Sequence, residues 1–257
     1  MNSKYLYANG DSFIFGMECI DEDPKGEENK EFAFPRHVAN MLGCETYINN
    51  SYTGAPNEFI FRNTIFDLLE LEKSGVNPTD VFVIVGWTSL FRLEIDGEAW
   101  YETLPYYLQK NKPELIGTKA APKEFTDSRS LFVNPNSGTY VLYKGKRYDT
   151  TYDVNPFCVK YLWNHDLQNP QQEARIIALD QFLKSKGYRY LFVNTCGFFD
   201  LNIADKSKHF YMDLKETFYA WALENYPTHR KQSNHFSPVP HEEYGKLLVE
   251  YITKNNL

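Results

Sequence analysis

The chain has 257 residues, of which 42% are hydrophobic and 24% charged, a composition typical of a folded domain with a buried core. This excludes a disordered chain, a fibre and a coiled coil, and it predicts a single domain over 1–257 that carries an insertion. The formal net charge of −7 repels phosphate backbones, so we expect no nucleic-acid partner. No apolar run approaches the roughly 20 residues of a membrane helix, and no secretory signal is visible. We therefore expect a cytoplasmic protein without a membrane partner.

Segments typical of strands and helices alternate along the chain, and each ends at a turn signal. Short runs of apolar and β-branched residues predict strands, and apolar residues spaced i, i+3 and i+4 predict helices. The expected strands are 4–9, 45–49, 81–85 and 188–194, and the expected helices are 34–42, 57–74, 170–186, 213–225 and one that closes the chain. This alternation predicts an α/β fold, a three-layer α/β/α sandwich around a mostly parallel sheet. Ligands of such folds bind at the carboxyl ends of the strands.

A stretch from about residue 93 to 165 breaks this alternation. It is rich in Tyr, Lys, Pro and Gly, and Gly138 to Gly145 is typical of a hairpin strand. We interpret it as an inserted, aromatic-rich lobe that covers one end of the sheet. Its exposed aromatic side chains would suit stacking on a sugar, a lid over an acyl group or an oligomer contact. The alternative is that most of them form the lobe's own core.

Four short segments lie where the predicted strands end or the last helix begins. They are 10–12 (Gly-Asp-Ser), 54–57 (Gly-Ala-Pro-Asn), 86–89 (Gly-Trp-Thr-Ser) and 235–241, which begins and ends with histidine. Each segment alone is explained by a capped turn. Their order, and the position of the first three at strand ends, indicate a common site. A serine in such a turn presents its hydroxyl at the edge of the sheet.

In this order the segments resemble the blocks of the SGNH/GDSL hydrolase family, and the resemblance spans most of the chain outside the insertion. It implies that Ser12 is the nucleophile and that His235 is the general base. It also implies an oxyanion hole formed by the Ser12 and Gly54 amides. Thr88 stands where the family has asparagine, and its hydroxyl is expected to donate a further hydrogen bond to the oxyanion. The residues expected to line the substrate pocket are Asp11, Asn57, Trp87 and Arg92.

The carboxylate that orients the histidine in the family's D-x-x-H block has no counterpart here. The residue three positions before His235 is Gln232. A base works best when a third group fixes its tautomer, and three explanations are open. The Gln232 side chain or a backbone carbonyl holds His235; a carboxylate such as Asp200 reaches the site from another segment; or the site is degenerate and only binds.

The resemblance implies an esterase or deacetylase that acts on a small-molecule or carbohydrate ester without a metal or other cofactor. The alternatives are an acyltransferase that uses the same serine and a binding protein on the same scaffold. A metal hydrolase built on His235, His241 and Glu242 would lack the second histidine of H-E-x-x-H. The nucleotide-binding motifs and the G-x-S-x-G elbow are absent from the sequence. A looser resemblance links the chain to uncharacterised SGNH-like proteins of bacteriophages.

Overall fold

A computed structural model describes residues 3–90, 92–95, 99–102, 131–133, 140–143, 146–149, 165–197, 207–231 and 234–257. Its strands are β1 (Tyr5–Asn9), β2 (Thr46–Asn49), β3 (Val81–Trp87), β4 (Arg92–Ile95), β5 (Ala99–Glu102), β6 (Leu131–Val133), β7 (Tyr140–Tyr143), β8 (Lys146–Asp149) and β9 (Arg189–Asn194). Its α-helices are α1 (Ser12–Phe15), α2 (Phe34–Leu42), α3 (Asn57–Lys73), α4 (His165–Lys186), α5 (Phe218–Asn225) and α6 (Pro238–Asn255). Among these residues, no helix is both long and apolar enough to cross a membrane.

The central sheet contains four strands in the order β2-β1-β3-β9. Every neighbouring pair is parallel, with Tyr7 opposite Ile48 on one side and Val83 on the other. Parallel strands need crossover connections, and helices α2, α3 and α4 lie between them in the sequence. The carboxyl ends of all four strands therefore meet at one edge.

Alternate residues of each strand point to opposite faces of the sheet. Both sets are apolar in these strands, and helices cover both faces. The side chains buried on one face are Leu6, Ala8, Phe82, Ile84, Leu191 and Val193, which pack with α2, α5 and α6. Those on the other face are Tyr7, Val83, Val85, Tyr190 and Phe192, which pack with α3 and α4. β3 is buried along its whole length, as expected for a strand with helices on both sides. The predicted three-layer α/β/α class is confirmed.

One predicted helix is wrong in its first part. We expected a helix over 213–225, but residues 212–214 have φ values between 49° and 57°, in the left-handed region. The α-helix begins only at Phe218, where the Thr217 hydroxyl accepts a hydrogen bond from the Ala220 amide. Helix α4 begins earlier than expected, at His165, and includes Pro170 within its first two turns. For α5, the Thr217 cap and the left-handed residues before it determine the helix start, and the apolar pattern does not show either.

The region of the predicted insertion contains antiparallel strands. β4, β5 and β6 form a three-stranded sheet, and β7 and β8 form a hairpin. The hairpin includes the strand that the sequence indicates near Gly138 to Gly145. The division of the chain into one domain with an inserted lobe stays a prediction.

Candidate active site

Ser12 lies in a tight turn at the carboxyl end of β1. Asp11 caps helix α1 by accepting a hydrogen bond from the Phe13 amide at 3.0 Å, and the helix ends at Gly16, which has a left-handed φ of 77°. The strand-to-helix turn lies against the end of β3. A Cβ on Gly10 would lie 2.3 Å from Cγ1 of Ile14, and one on Gly86 would lie 2.4 Å from the same atom. Only glycine at both positions lets this short helix approach the sheet so closely.

His235 lies in a loop that closes on itself before helix α6. The Lys231 amide donates to the His235 carbonyl at 2.8 Å, and Arg230 and Phe236 form an isolated antiparallel bridge. Asn234 has a φ of 71°, a left-handed conformation that asparagine adopts more readily than most residues. Its side-chain oxygen also accepts a hydrogen bond from Nε of Arg230 at 3.0 Å. These local hydrogen bonds therefore fix the position of the His235 backbone, from which the imidazole extends.

The turn after β1 and the loop before α6 place Ser12 and His235 in direct contact. The distance between Ser12 Oγ and His235 Nε2 is 2.7 Å, although the residues are 223 positions apart in the sequence. The imidazole also packs on the Phe13 ring, with a centroid distance of 5.0 Å. Ser12 is only 4% exposed, and the His235 side chain is 12% exposed. A hydroxyl at this distance can pass its proton to a neutral imidazole.

A carboxylate that the sequence motifs do not single out faces the other ring nitrogen. Glu18 Oε2 lies 3.6 Å from His235 Nδ1, and the Glu18 side chain is 16% exposed. Glu18 follows the end of α1 and has a φ of 66°, and its amide donates to the Pro24 carbonyl at 2.9 Å. The sequence contains one signal for Glu18, which is its position two residues after Gly16. The chain reverses at this glycine and returns beside the serine. The D-x-x-H pattern points only to residues just before the histidine, so it misses a carboxylate from this turn.

Behind the serine, Asp11 is the centre of a buried hydrogen-bond network. Its Oδ2 accepts from the Thr88 hydroxyl at 2.7 Å, from the Thr195 hydroxyl at 3.0 Å and from Arg92 at 3.1 Å. The Cys196 thiol lies 3.4 Å from the same oxygen. Asp11 is fully buried, so these donors replace the water that a carboxylate would otherwise bind. The network holds the turn that carries the nucleophile against the ends of β3 and β9.

The two cysteines near the site are protonated at neutral pH. Burial raises the pKa of the Cys196 thiol to about 12, and the negative charge of Asp11 contributes in the same direction. Burial also raises the pKa of Cys19 to about 12. A thiol is a nucleophile only as the thiolate. Neither cysteine is therefore activated, and Cys196 acts as a hydrogen-bond donor to Asp11.

Gly54 lies on the loop between β2 and α3, next to the turn that carries Ser12. The Tyr52 amide donates to the Gly10 carbonyl at 3.1 Å, which ties the loop to the end of β1. Gly54 has a φ of 77°, a conformation that favours glycine. Within the described part of the chain, neither the Gly54 amide nor the Ser12 amide donates a hydrogen bond to the protein.

The residues predicted to line a substrate pocket make buried contacts within the protein. The Asn57 amide group spans the Thr88 backbone, donating to its carbonyl and accepting from its N–H, both at 2.9 Å. Trp87 is fully buried in the core and packs edge-on against Phe192. The Arg92 side chain, 10% exposed, reaches inward to Asp11. Asp200 and Gln232, the two groups considered for orienting His235, lie outside the described residues.

The second histidine of the 235–241 segment belongs to the core. His241 is fully buried and packs against the rings of Phe34 and Phe218. Its Nδ1 accepts a hydrogen bond from the Phe34 amide at 3.3 Å. Burial lowers the pKa of His241 to about 3, so the ring is neutral at ordinary pH. In the described ranges, no group of three His, Cys, Asp or Glu side chains is arranged to hold a metal ion.

Comparisons with known proteins add little to this geometry. No protein-family model matches the chain, and no curated protein sequence matches it either. One solved structure, of a carbohydrate esterase whose active site "displays divergent catalytic and non-catalytic binding functions", aligns over 99% of this chain and 69% of its own. The sequence identity is 14% and the TM-score is 0.42.

The chain is an α/β/α sandwich with a parallel sheet, and a serine and a histidine are in hydrogen-bond contact at the carboxyl edge of that sheet. In open α/β sheets this edge is where ligands bind.

Proposed function

We propose that the protein is a serine hydrolase that cleaves an ester bond, with Ser12 as the nucleophile and His235 as the general base. The observation that carries this proposal is the 2.7 Å contact between Ser12 Oγ and His235 Nε2. A serine hydroxyl is a weak nucleophile unless an adjacent base takes its proton. The SGNH/GDSL type of the enzyme is part of the proposal, because the order of the site segments in the sequence is that of the family.

The reaction proceeds in two steps. His235 accepts the Ser12 proton at Nε2 while Oγ attacks the acyl carbonyl, and the tetrahedral intermediate collapses when His235 returns the proton to the leaving alcohol. Water then attacks the acyl carbon while His235 takes its proton. The Oγ–acyl bond breaks, the acid is released, and His235 returns the proton to Ser12. The substrate is the ester of a small molecule or a carbohydrate.

The oxyanion hole is formed by the backbone amides of Ser12 and Gly54. Both belong to segments joined by the hydrogen bond from the Tyr52 amide to the Gly10 carbonyl. The Thr88 hydroxyl has one proton, and at 2.7 Å from Asp11 Oδ2 that proton is donated to a carboxylate that can only accept. Thr88 therefore contributes by fixing the serine's turn, and the amides stabilise the oxyanion without it.

Labelling with a fluorophosphonate probe, mapped by mass spectrometry, tests the proposal. We expect an adduct on Ser12 that is abolished in Ser12→Ala and forms about 10²–10⁴ times more slowly in His235→Ala, because the base is lost. Ser185→Ala, a change at an exposed serine on α4, is the matched control and should react like the wild type. Circular dichroism establishes that each variant is folded.

Two results would contradict the proposal. The first is the absence of an adduct on folded wild-type protein, which would favour a binding protein on this scaffold. The second is equal labelling of His235→Ala and wild type, which would mean that the histidine does not activate the serine.

A panel of acetylated sugars and short-chain esters then separates carbohydrate esters from other substrates, and added alcohol acceptors reveal acyl transfer.

A further inference from the structure

We propose that Glu18 completes the site as a positioning residue, which sets the tautomer of His235 and stabilises its protonated form. This inference rests on the proposed hydrolase function and deepens it. The observation is that Glu18 Oε2 lies 3.6 Å from His235 Nδ1, on the side of the ring opposite Ser12. The D-x-x-H arrangement would place the carboxylate in the histidine's own loop. Here it comes from the nucleophile's turn.

The backbone makes Ser12 and Glu18 parts of one rigid turn. The amides of Gly16 and Met17 both donate to the Ser12 carbonyl, the second at 3.0 Å. The Cys19 amide then donates to the Gly16 carbonyl at 3.0 Å, which closes the turn around Glu18. Glu18 itself adopts a left-handed φ of 66°, a conformation that is unfavourable for a residue with a Cβ and that the surrounding hydrogen bonds maintain. The position of the carboxylate is therefore determined by the same segment that places the hydroxyl.

Two further contacts tie this turn to the loop of His235. The Lys231 ammonium lies 2.7 Å from Asp21 Oδ1, and the Cys19 thiol donates to the Phe236 carbonyl at 3.7 Å. Cys19 directly follows Glu18, and Phe236 directly follows His235. These contacts fix the spacing of the carboxylate and the imidazole from both sides.

The negative charge of Glu18 suits the positive charge that His235 acquires during the reaction. When Nε2 accepts the Ser12 proton, the ring carries a proton on each nitrogen and one positive charge. The Glu18 carboxylate stabilises that charge and stays ionised, so no proton leaves Nδ1. At 3.6 Å the contact is electrostatic and longer than a hydrogen bond. The Asp11 carboxylate does not take this role, because its Oδ2 binds Thr88 and Arg92.

The first test is the rate of fluorophosphonate labelling in Glu18→Gln, which keeps the shape and removes the charge. We expect a decrease of about 10²-fold or more in the rate at Ser12 and in kcat, with little change in KM, because the histidine is a poorer base. Glu22→Gln, at an exposed glutamate of the same loop, is the matched control and should keep the wild-type rate. Glu18→Asp, which retains a carboxylate, should recover part of the activity.

The second test measures the tautomer of the His235 imidazole by nitrogen NMR of protein labelled with 15N-histidine. Neutral His235 in the wild type should carry its proton on Nδ1, and the Nδ1 proton should be shifted downfield by the carboxylate. Glu18→Gln should lose that shift and populate both tautomers, while Glu22→Gln should give the wild-type spectrum. A residue that only shaped the loop would not change the tautomer in the isosteric variant.

The outcomes separate this inference from the proposed function. If wild type is labelled and Glu18→Gln is labelled at the same rate with the same His235 tautomer, the role of Glu18 is overturned and the hydrolase remains. If wild type is not labelled, the hydrolase fails, and the NMR experiment alone decides whether Glu18 orients His235. If Glu18→Gln does not fold, the wild-type spectrum decides: a proton on Nε2, or an Nδ1 proton without the downfield shift, overturns the proposal.

Discussion

The two sides of the Ser12 hydroxyl are built in different ways. On the inner side, Asp11 is fully buried and its carboxylate binds side chains from the ends of β3 and β9. On the outer side, the His235 imidazole and the Glu18 carboxylate come from two different loops, and Nδ1 lies 3.6 Å from Oε2. The inner side fixes the nucleophile in place. The outer side carries the proton transfer.

This difference predicts that substitutions on the two sides will affect different properties. A buried, fully bonded network resists change because each member compensates the desolvation of the others. The ion pair between Lys231 and Asp21, which joins the two outer loops, is exposed to solvent that screens its charges, so it contributes little to folding. Changes on the inner side should therefore lower stability, and changes on the outer side should lower the rate of reaction at nearly constant stability.

The largest expected effect on stability is that of Asp11→Asn. Asparagine can still cap helix α1 with its carbonyl oxygen, but the variant removes the negative charge beside Arg92. It also places an NH2 group where Oδ2 accepts hydrogen bonds from Thr88 and Thr195. Breaking a buried ion pair in this way destabilises a protein by about 3–5 kcal/mol. Denaturant unfolding measures the loss. Asp21→Asn, at an exposed aspartate on the outer side, should change the free energy of unfolding by at most about 1 kcal/mol. If the two substitutions lowered the free energy of unfolding equally, the inner and outer sides would not differ in their contribution to stability.

An intermediate effect is expected from pH, through the buried His241. Its pKa is about 3 in the folded protein, because burial opposes the charge, and about 6.5 in the unfolded chain. As pH falls below 6.5 the unfolded state takes up a proton that the folded state does not, so acid favours unfolding. The expected loss from this residue is about 2 kcal/mol between pH 7 and pH 5.

Comparison of wild type with His241→Gln isolates this contribution, because glutamine can accept the Phe34 hydrogen bond but does not titrate. The variant should show a shallower decline of unfolding free energy with acid than wild type. An identical slope would mean that His241 is accessible to protons in the folded state.

The smallest effect on stability is expected from Lys231→Ala, which removes the ion pair with Asp21 between the two outer loops. The free energy of unfolding should change by at most about 1 kcal/mol. The labelling rate of Ser12 should nevertheless fall several-fold, because the spacing of Glu18 and His235 is less well fixed. Lys246→Ala, which removes ion pairs on the distant helix α6, is the control and should leave that rate unchanged. A loss of stability without a loss of rate would place Lys231 with the inner side.

Much of the scaffold follows from the chain's local patterns. The four parallel strands and helices α2 and α3 lie within a few residues of their predicted bounds, because their apolar periodicity and the glycines that follow them are local signals. The same signals indicate that Ser12 follows β1 and that His235 precedes the last helix. The left-handed residues 212–214 have no such pattern, and the sequence wrongly includes two of them in a helix.

The partners of polar side chains, in contrast, depend on tertiary packing. The Thr88 hydroxyl faces Asp11, Trp87 packs into the core, and Glu18 faces His235 from the opposite end of the chain. Spacing along the sequence predicts the partners of a side chain only within a helix or a strand, where the geometry repeats. Contacts between loops depend on how the sheet brings distant segments together. Local sequence patterns therefore predict the layers and the edge where the site lies, whereas the packing of that edge determines which groups meet there.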